Sequence, residues 1–212
     1  MNISVNTKLD AINFVIGSLG LAPVESEDEY NLDSQQAAMA IDNESRTIQN
    51  NKGQGLWFNR EFNWKMTPDP VTGVVNVPNT AMATYRQNYQ CRRFIKLALR
   101  GRALYDLNGH RFDMRPLAES DGYIHIMMVQ QLDFDDLPET AKDAVTRSAA
   151  FRFAYQNEVE QTRLKVLQTL AEDAMFALQH KDTSQQSVNA FDNNASMTLF
   201  NHLAGGYNNW SF

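Results

Sequence analysis

The spacing of apolar residues changes from a helical period to a strand period and back along this chain. The polar segment 48–55 ends in glycines and is followed at once by an aromatic run that begins at Trp57. A second junction lies at residues 132–140, where a strand pattern stops at acidic residues and Pro138 begins a helix. The sequence therefore predicts an α+β fold: a bundle of N- and C-terminal helices flanking a central antiparallel β region.

Four segments outside the centre carry apolar residues at helical spacing. Residues 7–19 begin with a Thr-x-x-Asp pattern, which is typical of a capping box. A helix over residues 33–51 is expected to be capped by Asp33, and it has a thin stripe of small apolar residues. Two more helices are predicted, one starting at Pro138 and a long one over residues 158–181.

The segments between these helices have the patterns of strands. Residues 57–66 alternate with period two, which predicts a half-buried strand. One face of that strand is expected to carry its large apolar side chains, Phe58, Phe62, Trp64 and Met66. Short strands are predicted over residues 74–77 and 103–107, with a hairpin turn at Asn108-Gly109 because both residues tolerate positive φ. Residues 123–132 are apolar on both faces, which predicts a central, covered strand.

A basic segment lies inside the predicted β region. Residues 86–115 hold eight cationic and two acidic side chains, so they carry +6 in a chain of net charge −6, and the remainder carries −12. A strand ending before a turn at Gly101 places three cations on one face: Arg92, Lys96 and Arg100. This row is a candidate contact with an acidic neighbouring subunit or with DNA, and a solvated sheet face is the alternative. The acidic remainder argues against strong duplex binding.

The last segment is polar and is interrupted by isolated aromatic residues. Such a composition cannot form its own core. Five aromatic residues are candidates for docking into a partner, with a floppy end as the alternative: Phe191, Phe200, Tyr207, Trp210 and Phe212. The sequence thus predicts a discontinuous helical domain (residues 1–56 and 138–181), a β-rich region (57–137) and a docking tail (182–212).

The sequence gives little support to catalysis, and no catalytic, cofactor-binding or metal-binding residue is predicted. The four histidines are scattered, and Cys91 has no ligand-type residue at metal-binding spacing. His125 lies in an apolar strand and is expected to be a core histidine. The acids in residues 133–139 resemble paired carboxylates, but acids ahead of a helix ordinarily interact with its positive end.

Composition also bears on the compartment. No run of about 18 apolar residues occurs, so no membrane contact is expected. Residues 1–8 lack a charged region followed by an apolar one, and no secretory signal is expected. A single cysteine excludes an intrachain disulfide and favours assembly in a reducing cytoplasm.

Six segments, taken in order, resemble the tail tubular protein A family, the head-to-tail adaptors of short-tailed, T7-like bacteriophages. They are residues 11–24, 48–59, 102–106, 134–139, 149–153 and 189–192. The strongest is Phe134-Asp135-Asp136-Leu137-Pro138-Glu139 with the later Ala149-Ala150-Phe151-Arg152-Phe153. Two features depart from the family pattern: residues 85–93 are longer than usual, and the C-terminus ends in aromatic residues.

The resemblance implies a structural virion protein without substrate turnover. Family members form a twelve-subunit ring between the portal protein and the tail tubular protein B nozzle, and DNA passes through the ring during ejection. The protein is accordingly expected in the virion tail after assembly in the host cytoplasm. Some relatives have been proposed to degrade host polysaccharide, so a tail-associated hydrolase is the alternative function.

Overall fold

The computed structural model describes residues 7–26, 31–86 and 96–185, and it confirms the predicted α+β fold. The α-helices in these ranges are α1 (Lys8–Gly17), α2 (Leu32–Asn50), α3 (Glu139–Gln156) and α4 (Gln161–Gln185). The strands are β1 (Arg60–Met66), β2 (Ala81–Arg86), β3 (Leu97–Arg100), β4 (Ala103–Asp106) and β5 (Ile124–Gln130). The strands follow α2 and precede α3, so the β region is central, as predicted.

The strands form two small antiparallel sheets. β5 is the middle strand of a three-stranded sheet with the order β1-β5-β2, and β3 and β4 form a separate hairpin. Ile124, Ile126 and Met128 of β5 are fully buried on one face, and Val129 is fully buried as well. This confirms the central strand that was predicted from a segment with apolar residues on both faces.

The apolar side chains pack into two clusters that correspond to the two halves of the fold. The helical core draws on all four helices and on Leu56, Phe134 and Leu137 at the junctions. The β core contains buried residues of β4 and β5 together with Val75 and Val77. The two halves therefore need a specific connection, because each has an apolar core of its own.

The helix starts are set by local side chains. The hydroxyl of Thr7 accepts a hydrogen bond from the Asp10 N–H, and the Asp10 carboxylate accepts one from the Thr7 N–H, so the predicted capping box is confirmed. The cap of α2 is Asn31 and not Asp33, because Asn31 Oδ1 accepts from two N–H groups of the first turn. Pro138 lies at the N-cap of α3, one residue before the predicted position.

The single apolar face predicted for residues 57–66 is wrong. β1 contains a bulge between Glu61 and Trp64, where Asn63 has a φ of 56°. A bulge inserts one extra residue and so shifts the alternation of side chains. Phe62 is consequently 59% exposed, whereas Trp64 and Met66 pack against the β core.

The strand predicted over residues 74–77 is reduced to a single bridge between Asn76 and Ala103. The Val75 carbonyl accepts from the Leu104 N–H, but regular pairing does not continue on either side. β2, in contrast, was not predicted from sequence, because its alanines have low strand propensity. Its strand conformation comes from pairing with β5.

Two buried amide side chains connect the helical half to the β half. Gln49, near the end of α2, is fully buried; its Oε1 accepts from the Leu132 N–H at 2.8 Å and its Nε2 donates to the Leu132 carbonyl at 2.9 Å. Asn59, just before β1, is 1% exposed and donates to the carbonyls of Gln49 (3.0 Å) and Gln130 (2.9 Å). Its Oδ1 accepts from the Leu56 N–H at 2.7 Å. The pair therefore satisfies backbone groups of both halves at once.

Gly55 lets the chain pass close to this amide pair. Its φ is 68°, a conformation that glycine adopts without strain. A Cβ at this position would lie 2.8 Å from Val129 and 2.9 Å from Asn59 Oδ1. The glycine is therefore required both by its backbone conformation and by the space around it.

The long C-terminal helix ends later than predicted and is attached to the junction. α4 runs to Gln185, so residues 182–185, assigned to the tail from sequence, are helical. Asp182 accepts a hydrogen bond from the Trp57 N–H at 2.8 Å, and its other oxygen lies 3.6 Å from the Arg60 guanidinium. In the part of the chain that the structure describes, no helix combines the length and apolar character needed to cross a bilayer.

Replacing Gln49 with Ala should lower the free energy of unfolding by about 2 kcal/mol, because it leaves the part-buried N–H and carbonyl of Leu132 without partners. Urea denaturation measures this change. Gln36→Ala removes an exposed amide from the same helix and should change stability by less than about 0.5 kcal/mol. Equal stability of the two variants would contradict the connecting role of Gln49.

Candidate interaction surface

The basic segment folds in part into the β3–β4 hairpin, which has two exposed arginines at its tip. Arg100 pairs with Ala103, so the loop between the strands consists of Gly101 and Arg102. Gly101 has a φ of 64°, which suits glycine in a tight turn. The turn predicted at Gly101 is therefore confirmed.

Three cations of this hairpin have no acidic partner within ion-pairing distance among the residues that the structure describes. They are Lys96, Arg100 and Arg102, and all three are exposed. The guanidinium of Arg100 lies 3.5 Å from the centre of the Tyr105 ring, a cation–π contact that orients it. The hairpin thus presents a preorganised basic surface.

Arg111 and Arg115, in contrast, are neutralised by acids of the same segment. Arg111 Nε lies 3.5 Å from a carboxylate oxygen of Asp106, which is itself buried. Arg115 donates from Nε and Nη2 to the two oxygens of Asp113 at 2.9 and 2.8 Å. Their charges are paired within the fold, so Lys96, Arg100 and Arg102 are the cations of residues 96–115 that remain available to a partner.

The turn after β4 differs from the predicted Asn108-Gly109 hairpin. Residues 107–110 form a four-residue turn, and its left-handed residue is His110, with a φ of 51°. Asp106 Oδ1 accepts from the Asn108 N–H at 2.9 Å and stabilises the turn. Gly109 is needed for space, because a Cβ would lie 2.3 Å from Asp106 Oδ2.

Carboxylates with lowered pKa values hold a neighbouring loop. The pKa of Asp113 is lowered to about 2, chiefly because the side chain of Arg115 donates hydrogen bonds to it. Arg115 also donates to the carbonyl of Pro70 at 3.1 Å. The pKa of Asp69 is lowered because the backbone and hydroxyl of Thr72 donate to its carboxylate. The carboxylates of Asp69 and Asp113 therefore stabilise the loop through hydrogen bonds within it.

The acids within residues 133–139 occupy positions at helix ends. Asp135 Oδ1 accepts from the Lys8 N–H at 3.0 Å, so it serves the start of α1 and not that of α3, which follows it in sequence. A cavity of about 260 Å³ beside Asp135 is also lined by Lys8, whose ammonium lies 2.7 Å from Asp42. Glu139 lies in the first turn of α3. The hydrolase alternative gains no support from this arrangement.

A groove of about 790 Å³ separates the helical bundle from the basic hairpin. Arg46 and Lys52 contribute cations to its lining, and Met82, Leu99 and Met175 contribute apolar surface. Leu99 belongs to β3, so the groove borders the hairpin directly. The hairpin and the groove together form a continuous surface of mixed basic and apolar character.

Three residues that sequence reasoning did not combine meet at the start of β5. His125 Nε2 lies 2.9 Å from Asp121 Oδ2 and 3.9 Å from Glu119 Oε2. The side chain of His125 is only 13% exposed, but it faces this acidic loop and is not a residue of the β core. The spacing Glu-x-Asp-x-x-x-His is the sequence signal that could have indicated the group.

Several predicted contact residues lie outside the described ranges. They are Arg92 of the basic row and the tail aromatics Phe191, Phe200, Tyr207, Trp210 and Phe212. Docking of the tail therefore stays a prediction, as does the full row of cations. The structure does place Lys96 and Arg100 of that row on one hairpin.

The carboxyl group of Asp113 should still be ionised at about pH 3, below the ordinary pKa of 3.8, with its midpoint near 2. The stabilisation from this group is present above pH 3.8 and is lost as the pH falls towards 2. Arg115→Gln should raise the midpoint towards 3.8 in a carboxyl-detected NMR titration. Arg111→Gln is the control and should have a smaller effect, because Arg111 acts only through longer-range attraction. An unchanged midpoint in Arg115→Gln would contradict the assigned cause.

Comparison with known proteins places this fold in a family. A search of curated proteins returns no match to the chain. The family model for tail tubular proteins matches residues 9–196, which include all the helices and strands described above except the first residue of α1. A match over so much of the sequence shows the family, whose members are structural components of bacteriophage tails. The chain therefore belongs to the tail tubular protein family.

Proposed function

We propose that this protein is the head-to-tail adaptor of a short-tailed, T7-like phage, the role of tail tubular protein A. Twelve copies form a ring between the portal protein and the tail tubular protein B nozzle, and viral DNA passes through the ring. The observation that carries this proposal is the family match over residues 9–196. The ordered segments that resemble the A-type members support the adaptor role in particular.

Exposed apolar side chains on the helices support association between copies. Leu32 and Met39 of α2 are 68% and 65% exposed, and their spacing of seven residues places them on one face. Tyr155 of α3 and Phe176 of α4 are 68% and 71% exposed. Burial of such side chains against a neighbour contributes roughly 25 cal/mol per Å² of apolar surface. The helical bundle thus offers the apolar part of a subunit interface.

Charge complementarity supports the same arrangement. The hairpin holds cations without acidic partners among the described residues, while the chain outside residues 86–115 carries −12. Repetition around an axis brings the basic hairpin of one copy towards the acidic surface of the next. A predominantly acidic ring also lets DNA pass without tight binding. We assign the hairpin to the contact between copies, and contact with DNA is the other outcome that the test below distinguishes.

The purified protein should form closed rings, either alone or with its portal and nozzle partners. Size-exclusion chromatography with light scattering measures the mass, and negative-stain imaging counts the subunits. Each subunit contact should bury more than about 1,000 Å². A monomer that persists in the presence of both partners would contradict the proposal.

Replacing Lys96, Arg100 and Arg102 together with Ala should reduce ring assembly, because it removes the cations that meet the acidic neighbour. The matched control replaces three exposed cations of α4, Arg163, Lys165 and Lys181, and makes the same change in net charge. Light scattering at increasing salt compares the two variants. If the hairpin contacts DNA instead, rings persist and the salt dependence of DNA retention falls by about one unit per lost phosphate contact. Equal behaviour of the two triple variants would remove the hairpin from both roles.

A further inference from the structure

We propose that Glu119, Asp121 and His125 bind a divalent metal cation of the class to which Zn²⁺ and Mn²⁺ belong. One donor atom from each of the three side chains lies within 4.8 Å of the other two. Zinc bonds to histidine nitrogen and carboxylate oxygen are about 2.0–2.2 Å long, so small side-chain rotations bring all three donors around one centre. The site is separate from the hairpin, and the inference does not depend on ring assembly.

Asn63 determines which nitrogen of His125 faces the two carboxylates. His125 Nδ1 lies 2.5 Å from Asn63 Oδ1, an oxygen that can only accept a hydrogen bond. Nδ1 therefore donates to Asn63, which leaves Nε2 facing Asp121 and Glu119. Metal-binding histidines typically donate their other ring N–H to an oxygen in this way.

The loop that supplies two of the ligands is closed by its own hydrogen bonds. The Glu119 N–H donates to the Tyr123 carbonyl and the Gly122 N–H to the Glu119 carbonyl, both at 2.9 Å. Asp121 Oδ1 accepts from the Tyr123 N–H at 3.1 Å, while Oδ2 is directed at His125. The third ligand lies on β5, the middle strand of the sheet. Little ordering is therefore required when a cation binds.

The charges around the site favour a cation. The two carboxylates carry −2, and the Lys65 ammonium lies 3.7 Å from Asp121 Oδ2. Either a proton on Nε2 or a divalent cation between His125 and Asp121 fits this contact, and the titration below distinguishes them. The Lys65 side chain is 54% exposed and can turn to solvent when a divalent cation takes its place.

The donor set selects the class of cation. One imidazole and two carboxylates suit zinc, manganese and related ions, whereas calcium and magnesium prefer oxygen ligands alone. Three protein ligands leave coordination positions for water. A bound cation would fasten the loop at residues 119–123 to β5 and stabilise the three-stranded sheet.

Isothermal titration of the metal-stripped full chain with zinc chloride or manganese chloride tests the site. We expect one cation per chain and a higher melting temperature on binding. Asp121→Asn and His125→Gln should each weaken binding about tenfold or more, and His110→Gln, which changes an exposed histidine in a turn, should leave it unchanged. If His125→Gln does not fold, Mn²⁺ should broaden the NMR ring signals of His125 in the wild type before those of His110.

Two results would overturn the site. Binding that is equally strong in His125→Gln and in wild type would assign the cation to other residues. No saturable binding at millimolar Zn²⁺ or Mn²⁺ would leave a proton as the only cation between His125 and its carboxylates. Neither result bears on ring formation. A negative metal-binding test is therefore distinguishable from a negative test of the adaptor proposal.

Discussion

The two halves of this protein are held in one arrangement by the buried amide groups of Gln49 and Asn59. Each half has its own apolar core, and hydrophobic packing alone is not directional enough to fix how one half meets the other. The amides supply direction, because each forms hydrogen bonds with backbone groups from distant parts of the chain. Buried polar groups are costly unless satisfied, so only one relative placement of the halves is favourable.

This connection matters for the ring that we propose. The four exposed apolar side chains assigned to the interface lie on α2, α3 and α4, and its three cations lie on the hairpin, so the two parts of the proposed interface are on opposite sides of the junction. A loose junction would let neighbouring subunits meet at variable angles, and a ring closes only when that angle is constant. Asp182 adds a further link, because it ties the end of α4 to Trp57 and Arg60.

The elements that could be predicted from sequence are those specified by local patterns. The capping box at Thr7, the turn at Gly101 and the covered strand β5 depend on residues close together in sequence, and all three are confirmed. The bulge at Asn63 could not be predicted, because the sequence alternates regularly between apolar and polar residues across it. The bulge shifts which side chains share a face only once the strand is paired. The left-handed residue of the second turn was misassigned to Asn108-Gly109 because the buried Asp106 selects a longer turn that ends at His110.

The sequence by itself determined the fold class, the order of the helices around a central β region, the basic segment and the family resemblance, since these follow from composition and short-range spacing. Only the tertiary structure decided the long-range partners. Gln49 contacts Leu132, Asp135 accepts from the Lys8 N–H at the start of α1, and His125 contacts Asn63, although the members of these pairs are 83, 127 and 62 residues apart. A side chain of a given type can satisfy many partners equally well, and which one it meets depends on how the two cores pack against each other.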